Sequence, residues 1–431
     1  MDTQRRDAGL LRAVGPWTLA ASTVCNVVGA GIFAVPGALA ASVGPYAPLA
    51  LLVCALAVGS VAICFAEGGS RIASSGGSYG YVAAAFGPLA GFVAGTLSWF
   101  GNILACGGVA AALADVASSL LPGPLKAPAH VLVIIVVIGG IAWVNVGGVV
   151  RGMRLVSAAT MLKLIPLAIF VIVGAGAIHG DNFAQTVSLS TTGLGRALIL
   201  ALFAFTGMET SLAASGEVAQ PARTIPRALM LAMLIVTVLY IAIQVVAQGI
   251  LGPALALSTV PLADAMGRIS PALRLLMLGG AAISMFGLMS IELLGGPRTL
   301  FAFARDGLLP SPLGRVHART HAPHVAILCH AAIAVVLALT GTFAELAVLS
   351  TLAVAPLYMG GSVAAWLLAR RGVAEAGAPL NFRWLASAMT VAAVSMLVLM
   401  ALASRAEITG LVAVITASVL GYLLLRWKAA P

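Results

Sequence analysis

The stretch 26-NVVGAGIFAVPG-37 lies inside an apolar segment of membrane-spanning length. Gly29, Ala30 and Gly31 follow one another near its middle, with Asn26 just before them. A glycine inside a helix costs about 1 kcal/mol against alanine. A helix with such a weak point at mid-membrane depth either packs tightly against a neighbour there or is left open. The sixth apolar segment, 202-LFAFTGMETSLAASGEVAQP-221, repeats the feature with Thr206 and Gly207 at mid-length. Trp17 to Gly29 spans about 18 Å of helix and Gly31 to Ala41 about 15 Å; Leu198 to Glu209 spans about 16 Å and Glu209 to Ala219 about 15 Å. Both weak points therefore fall near the middle of a hydrocarbon core of roughly 30 Å.

Working outward, apolar residues make up 61% of the 431-residue chain and charged residues 8%, far from the roughly 45–50% and 25% of a soluble domain. The alternating pattern of a membrane barrel is absent. The pattern predicts an all-α polytopic membrane protein, a single integral domain over 1–431. About twelve spans are expected, at 16–39, 46–66, 80–116, 130–149, 155–178, 197–219, 227–251, 272–303, 323–341, 346–369, 384–403 and 408–426. With the N-terminus inside, 17 of the 23 lysines and arginines fall on the cytoplasmic side and five on the other, with Lys163 inside a span. The positive-inside rule thus places both termini in the cytoplasm and reads the net charge of +10 as topology, not as a nucleic-acid footprint. Residues 1–15 are polar and charged, so no cleavable signal peptide is expected. The five cysteines lack CxxC spacing, which argues against metal or disulfide use.

The first and sixth spans run in opposite directions. Matching interruptions five spans apart predict an inverted repeat, with halves at about 16–178 and 197–370 and two further helices over about 384–426. Such a pair of Gly-interrupted segments points to a transporter binding site. Opened backbone would offer N–H donors and a helix N-terminus to a carboxylate, and free carbonyls to an ammonium. Close helix packing is the alternative use of these glycines.

At these residues the chain resembles the amino acid–polyamine–organocation transporter superfamily. VVGAGIFAVPGALA is similar to its first-span signature and FAFTGMETSLAASGEVAQPARTIPRAL to the sixth span and following loop. SRIASSGGSYGYVAAAFGPLAGFVAG resembles the second loop and third span, and GGPRTLFAFARDGLLP the end of the eighth span. The resemblance implies the five-plus-five inverted-repeat fold of the LeuT type, with helices 1 and 6 discontinuous, substrate at their unwound parts, and alternating access. It implies that the backbone of Gly29, Ala30 and Gly31, flanked by Asn26 and Ile32, holds a substrate carboxylate. Phe203, Thr206, Gly207, Met208 and Glu209 would form the opposite side.

A carboxylate at mid-membrane is by default functional. Phe203 and Glu209 keep the aromatic-to-Glu spacing of the arginine/agmatine antiporter branch, with Phe in place of its Trp. Phe203 is then a gate or a packing residue, and Glu209 a substrate-path acid or a structural carboxyl. Asn102, in LSWFGNILAC, resembles an Asn that faces substrate in that branch; an interhelical hydrogen bond is the alternative. Glu292 stands where the branch has a tryptophan. It faces the cavity if its helix continues to Arg305, and pairs with Arg298 near the inner surface if it does not. Lys163 resembles the fifth-span lysine of proton-coupled or exchanging branches, whose ammonium sits where sodium-dependent relatives bind their ion. It argues for sodium independence and against a simple arginine/agmatine assignment, in a coupling or sodium-mimic role; a structural ion pair is the alternative.

The expected function is secondary active transport of amino acids or related amines across the cytoplasmic (inner) membrane, sodium-independent, by proton coupling or exchange. A cationic amino acid or amine antiporter, and a channel or nutrient sensor on a transporter fold, are the competing readings. No enzyme motif appears: there is no HExxH, GxSxG or phosphate loop. No cofactor is expected. Expected partners are the substrate, protons and membrane lipid but no nucleic acid; oligomeric state stays open, a homodimer among the options. The group His317, His321, His324 and His330 lacks acidic or cysteine ligands and is not read as a metal site. Glu67, Glu217 and Asp306 are read as loop ion pairs or inner-gate contacts, and Glu345 as an N-terminal helix acid.

Overall fold

The computed structural model describes residues 15–29, 31–72, 77–148, 162–184, 189–212, 218–305, 307–320 and 322–429. Sixteen α-helices, and no β-strand, occur among the described residues. They are α1 (Pro16–Val27), α2 (Gly31–Val43), α3 (Ala47–Arg71), α4 (Gly77–Phe86), α5 (Pro88–Ser118), α6 (Gly123–Val146), α7 (Leu164–Gly174) and α8 (Thr191–Phe205). There follow α9 (Met208–Leu212), α10 (Pro221–Leu251), α11 (Pro261–Gly267), α12 (Pro271–Arg305), α13 (His324–Thr340), α14 (Phe343–Arg370), α15 (Leu385–Ala401) and α16 (Arg405–Ala429).

Seven helical stretches are long and apolar enough to cross a membrane, and four shorter helices are apolar. The interrupted helices fall short of spanning length because each half is brief: α1 has 12 residues and α8 has 15. The segment expected as one third span, 80–116, is split. Gly87 takes a φ of +93° and Pro88 starts α5, so the chain turns between α4 and α5. Residues 149–161, which include the start of the expected fifth span at 155–161, lie outside the described residues.

Side chains such as Leu132, Val136, Trp143, Leu234 and Val238 are exposed on the outer faces of α6 and α10. Such apolar exteriors suit lipid, where every backbone group is satisfied within its helix. One apolar core draws on every helix except α4 and α16. Apolar burial does not drive helix association in lipid; close van der Waals packing does. Accordingly α5 approaches its neighbours through glycines. A Cβ at Gly101 would lie 3.0 Å from Val354 of α14, and one at Gly107 would lie 2.9 Å from Leu337 of α13.

The helices that position the cavity pack in a reciprocal pattern. α2 lies against α8, and α9 against α1. α1 packs on α10, and α8 on α3, while α3 and α10 also pack on each other. α5 is held between α12 and α14.

Candidate functional site

α1 ends at Val27, and Val28 leaves the helical region with ψ of 77°. Gly29 N–H turns back to the Val27 carbonyl at 2.7 Å, and α2 restarts at Gly31. Ala30 lies outside the described residues. A break at this depth leaves carbonyls without helical partners, and each must find a donor. Three side chains supply them. Lys163 Nζ, just before α7, donates to the Cys25 carbonyl. Tyr240 Oη of α10 donates to Val27 O at 2.8 Å, and Ser284 Oγ of α12 donates to Gly29 O at 3.1 Å. The free carbonyls expected from the sequence are therefore already occupied at these three positions. The first turn of α2 opens on the cavity at Gly31.

The second break has the same character. α8 starts under the Ser190 cap and stops at Phe205, and Thr206 takes an extended conformation. Thr206 Oγ1 donates to the Phe203 carbonyl at 2.7 Å. Gly207 has a φ of +112°, a region that L side chains rarely adopt. Its N–H donates to Glu209 Oε2 at 3.0 Å, and Tyr358 Oη of α14 donates to the same oxygen at 2.6 Å.

The two breaks touch. A Cβ at Gly207 would lie 2.8 Å from the Asn26 carbonyl oxygen, and one at Gly31 would lie 3.2 Å from Ala204 Cα. Glycine is thus required at Gly207, and at Gly31 even a methyl group would sit tightly against α8.

Between them lies a cavity of ≈ 40 Å³, measured as the space open to the centre of a water molecule. A single water needs about 10–15 Å³ on this measure, so the space suits about three waters. Asn26, Gly29, Gly31, Asn102, Phe203, Thr206, Gly207, Glu209 and Glu292 all line it. Ile32 and Met208 do not: both side chains are buried in the apolar core, because each points away from its break into the packed side of its helix. Lys163 does not line it either. It is buried behind α1, on the Cys25 carbonyl.

Several alternatives left by the sequence separate here. α12 runs unbroken from Pro271 to Arg305, which carries Glu292 about 20 Å from that end. No hydrogen bond or ion pair reaches Glu292 among the described residues, so it does not pair with Arg298. Asn102 likewise makes no interhelical hydrogen bond among the described residues. No carboxylate lies within ion-pair distance of Lys163 among them. Phe203 is 5% exposed and packs edge-on against Phe343, with ring centroids 5.6 Å apart, so it does not face lipid.

Sequence reasoning missed Tyr240, Ser284, Tyr358 and Ser350. Ser350 lines the cavity and donates to the Gly101 carbonyl at 2.8 Å. A tyrosine or serine deep in an apolar span signals a partner to be found, yet the sequence does not say which carbonyl that is.

Outside the cavity, Glu67 and Arg71 form a buried ion pair at 2.7 Å. Glu217, Asp306 and His321 lie outside the described residues. Glu345 closes a capping box with Thr342 at the start of α14. His317 and His324 meet edge to face with ring centroids 5.6 Å apart, whereas His330 is buried in α13 and accepts from Trp99 Nε1 at 3.2 Å. Among the described residues no group of three or more His, Cys, Asp or Glu is placed to hold a metal ion.

A family model described as amino acid permease matches residues 14–420. The chain is similar to the branched-chain amino acid permease BcaP of Bacillus subtilis, 26% identical over 352 residues, 74% of this chain and 73% of that one. It is similar to the methylthioribose transporter of Bacillus subtilis, 28% identical over 333 residues, 74% of this chain and 72% of that one. It is also similar to an uncharacterized transporter of Mycobacterium tuberculosis, 33% identical over 347 residues, 79% of this chain and 75% of that one.

Proposed function

The chain belongs to the amino acid permease family, a family of multi-pass membrane transporters and not of enzymes, and from that premise we propose that it is a sodium-independent secondary transporter of amino acids. Substrate sits between the two helix breaks and crosses by alternating access. The cavity has room for only about three waters. It must widen to admit an amino acid, as alternation between two open states requires.

The observation that carries the reading is the contact of the two breaks around one cavity holding Glu209 and Glu292. With three carbonyls of the first break occupied, the donors of the first turn of α2 are left for the substrate carboxylate. Asn102 and Thr206 serve its polar groups, and Phe203 closes over it. Lys163 supplies a positive charge on the Cys25 carbonyl, the role a bound sodium ion plays elsewhere, and moves the coupling proton.

The packing pattern supports an inverted repeat. Exchanging the α1–α2 pair for α8–α9, and α3 for α10, maps the contacts onto themselves. On this reading 16–178 and 197–370 are the repeats, within a single domain of about twelve spans of the LeuT type. Both termini are cytoplasmic.

The relatives differ in the cargo their names give, one branched-chain amino acids and one methylthioribose. An apolar side-chain pocket fits Leu288, Ile291 and Val354 in the cavity wall. A second reading, a cationic amino acid or amine antiporter, is favoured by Glu292, which faces the cavity without a hydrogen-bond or ion-pair partner among the described residues. Uptake by purified protein in liposomes separates them. Apolar amino acids driven by a pH gradient support the first reading. Exchange of cationic substrates, indifferent to the gradient, supports the second. A finding of no saturable counterflow for any amino acid or amine defeats both.

A further inference from the structure

At the arginine-rich end of α10, Arg223 and Arg227 stand one turn apart, both exposed on one face. Neither takes part in an ion pair among the described residues. Beside them opens a cleft of ≈ 510 Å³ on the measure that gives the substrate cavity ≈ 40 Å³. Its floor is Ala222, Pro226 and Met230 of α10, and its far wall is the segment 378–382. Apart from the two guanidinium groups the lining is largely apolar, with Pro379, Leu380 and Phe382 facing the helix.

That wall is not a loose loop. Phe382 N–H donates to Glu67 Oε2 at 3.1 Å, and Arg71 Nη2 donates to Asn381 Oδ1 at 2.6 Å. Arg71 Nη1 holds the Val373 carbonyl at 3.0 Å, and Ala376 N–H returns to the Arg71 carbonyl at 2.9 Å. The buried Glu67–Arg71 pair thus fixes the segment against α3, and the cleft is formed before anything enters it. Below the arginines the same face of α10 continues outward through Met230, Leu234 and Val238, the last two 63% and 62% exposed. Positions 223, 227, 230, 234 and 238 recur at helical spacing and make one stripe, cationic at the membrane surface and aliphatic within it.

We propose that this cleft binds one anionic phospholipid of the adjoining leaflet, its phosphate between Arg223 and Arg227 and one acyl chain along Met230, Leu234 and Val238. Guanidinium groups pair with phosphate oxygens through directed double hydrogen bonds. Basic pockets at the membrane surface recognise anionic headgroups. Arginines serving only topology would need water around them and no apolar chamber. A soluble anion would use the guanidinium groups and leave the stripe unused. An amphiphile with an anionic head uses both. The site is separate from the transport cavity and stands whether or not the transport reading does.

Native mass spectrometry of the purified chain, titrated with phosphatidylglycerol or phosphatidylcholine of equal chain length, tests this. One phosphatidylglycerol is retained in preference to phosphatidylcholine, and R223Q/R227Q weakens that binding by about tenfold or more. Leu380→Glu, which keeps both arginines but adds a negative charge to the cleft wall, weakens it similarly and decides the matter if the double variant fails to fold. Glycerol phosphate does not compete. Equal binding of the two lipids would overturn the proposal, as would undiminished binding by the variants or full competition by glycerol phosphate.

Discussion

At Gly207 the backbone holds a φ of +112°, and a Cβ there would lie 2.8 Å from the Asn26 carbonyl oxygen. Both constraints act on a single atom, so the smallest substitution is informative. Gly207→Ala forces either the left-handed turn or the crossing of the breaks to give. Its expected cost is about 2 kcal/mol, from strain of this kind. Thermal unfolding in detergent should show the loss, and uptake should fall with it; wild-type stability and uptake in this variant would mean the breaks do not need their contact. Glu209 shows the limit of reading single residues from sequence. Its spacing from Phe203 was legible, but its hydroxyl donor, Tyr358, lies 149 positions away on α14.

At the scale of elements, a broken helix is stable in lipid only if its neighbours satisfy the opened backbone. Tyr240 of α10 does this for Val27. Tyr240→Phe keeps the ring against Phe205 but removes one of the two donors to the Val27 carbonyl, leaving only Gly29 N–H. A loss of about 1 kcal/mol is expected, the net worth of one hydrogen bond. Thermal unfolding measures it, and no change would mean that Gly29 N–H alone satisfies the break at Val27. The Glu67–Arg71 pair ties α3 to the segment that precedes α15. Arg71→Ala strands a fully buried carboxylate, and removing one partner of such a pair costs about 3–5 kcal/mol. Markedly lower expression or melting temperature is the expected result; a shift typical of a surface arginine would contradict the pinning. The breaks themselves could be placed from Gly29, Gly31 and Gly207, since glycine placement is a local signal. The split of the third segment at Gly87–Pro88 is also local, but inside an apolar run it is masked by hydropathy. The short helix α11 was hidden for the opposite reason: seven residues carry too little periodicity to register.

For the whole molecule, the reciprocal packing of the two helix groups around one cavity is what the transport reading rests on. The two interruptions from which the sequence predicts a repeat were legible as glycines in the first and sixth apolar segments. The side chains that support the breaks and the cavity wall, Tyr240, Ser284, Tyr358 and Ser350, were not, because each bonds a residue far away in sequence. Lys163 links the two levels. It was conspicuous as the lone cation in a span, and its ammonium meets a carbonyl of the first break with no carboxylate beside it among the described residues. If that ammonium stands in for sodium, transport runs without sodium and depends on this one side chain. The decisive measurement is amino acid uptake into liposomes holding the purified protein, with all sodium replaced by potassium and a pH gradient imposed. Saturable uptake by the wild type, lost in Lys163→Ala while the variant still folds, is the predicted result. A strict sodium requirement in the wild type would contradict the account.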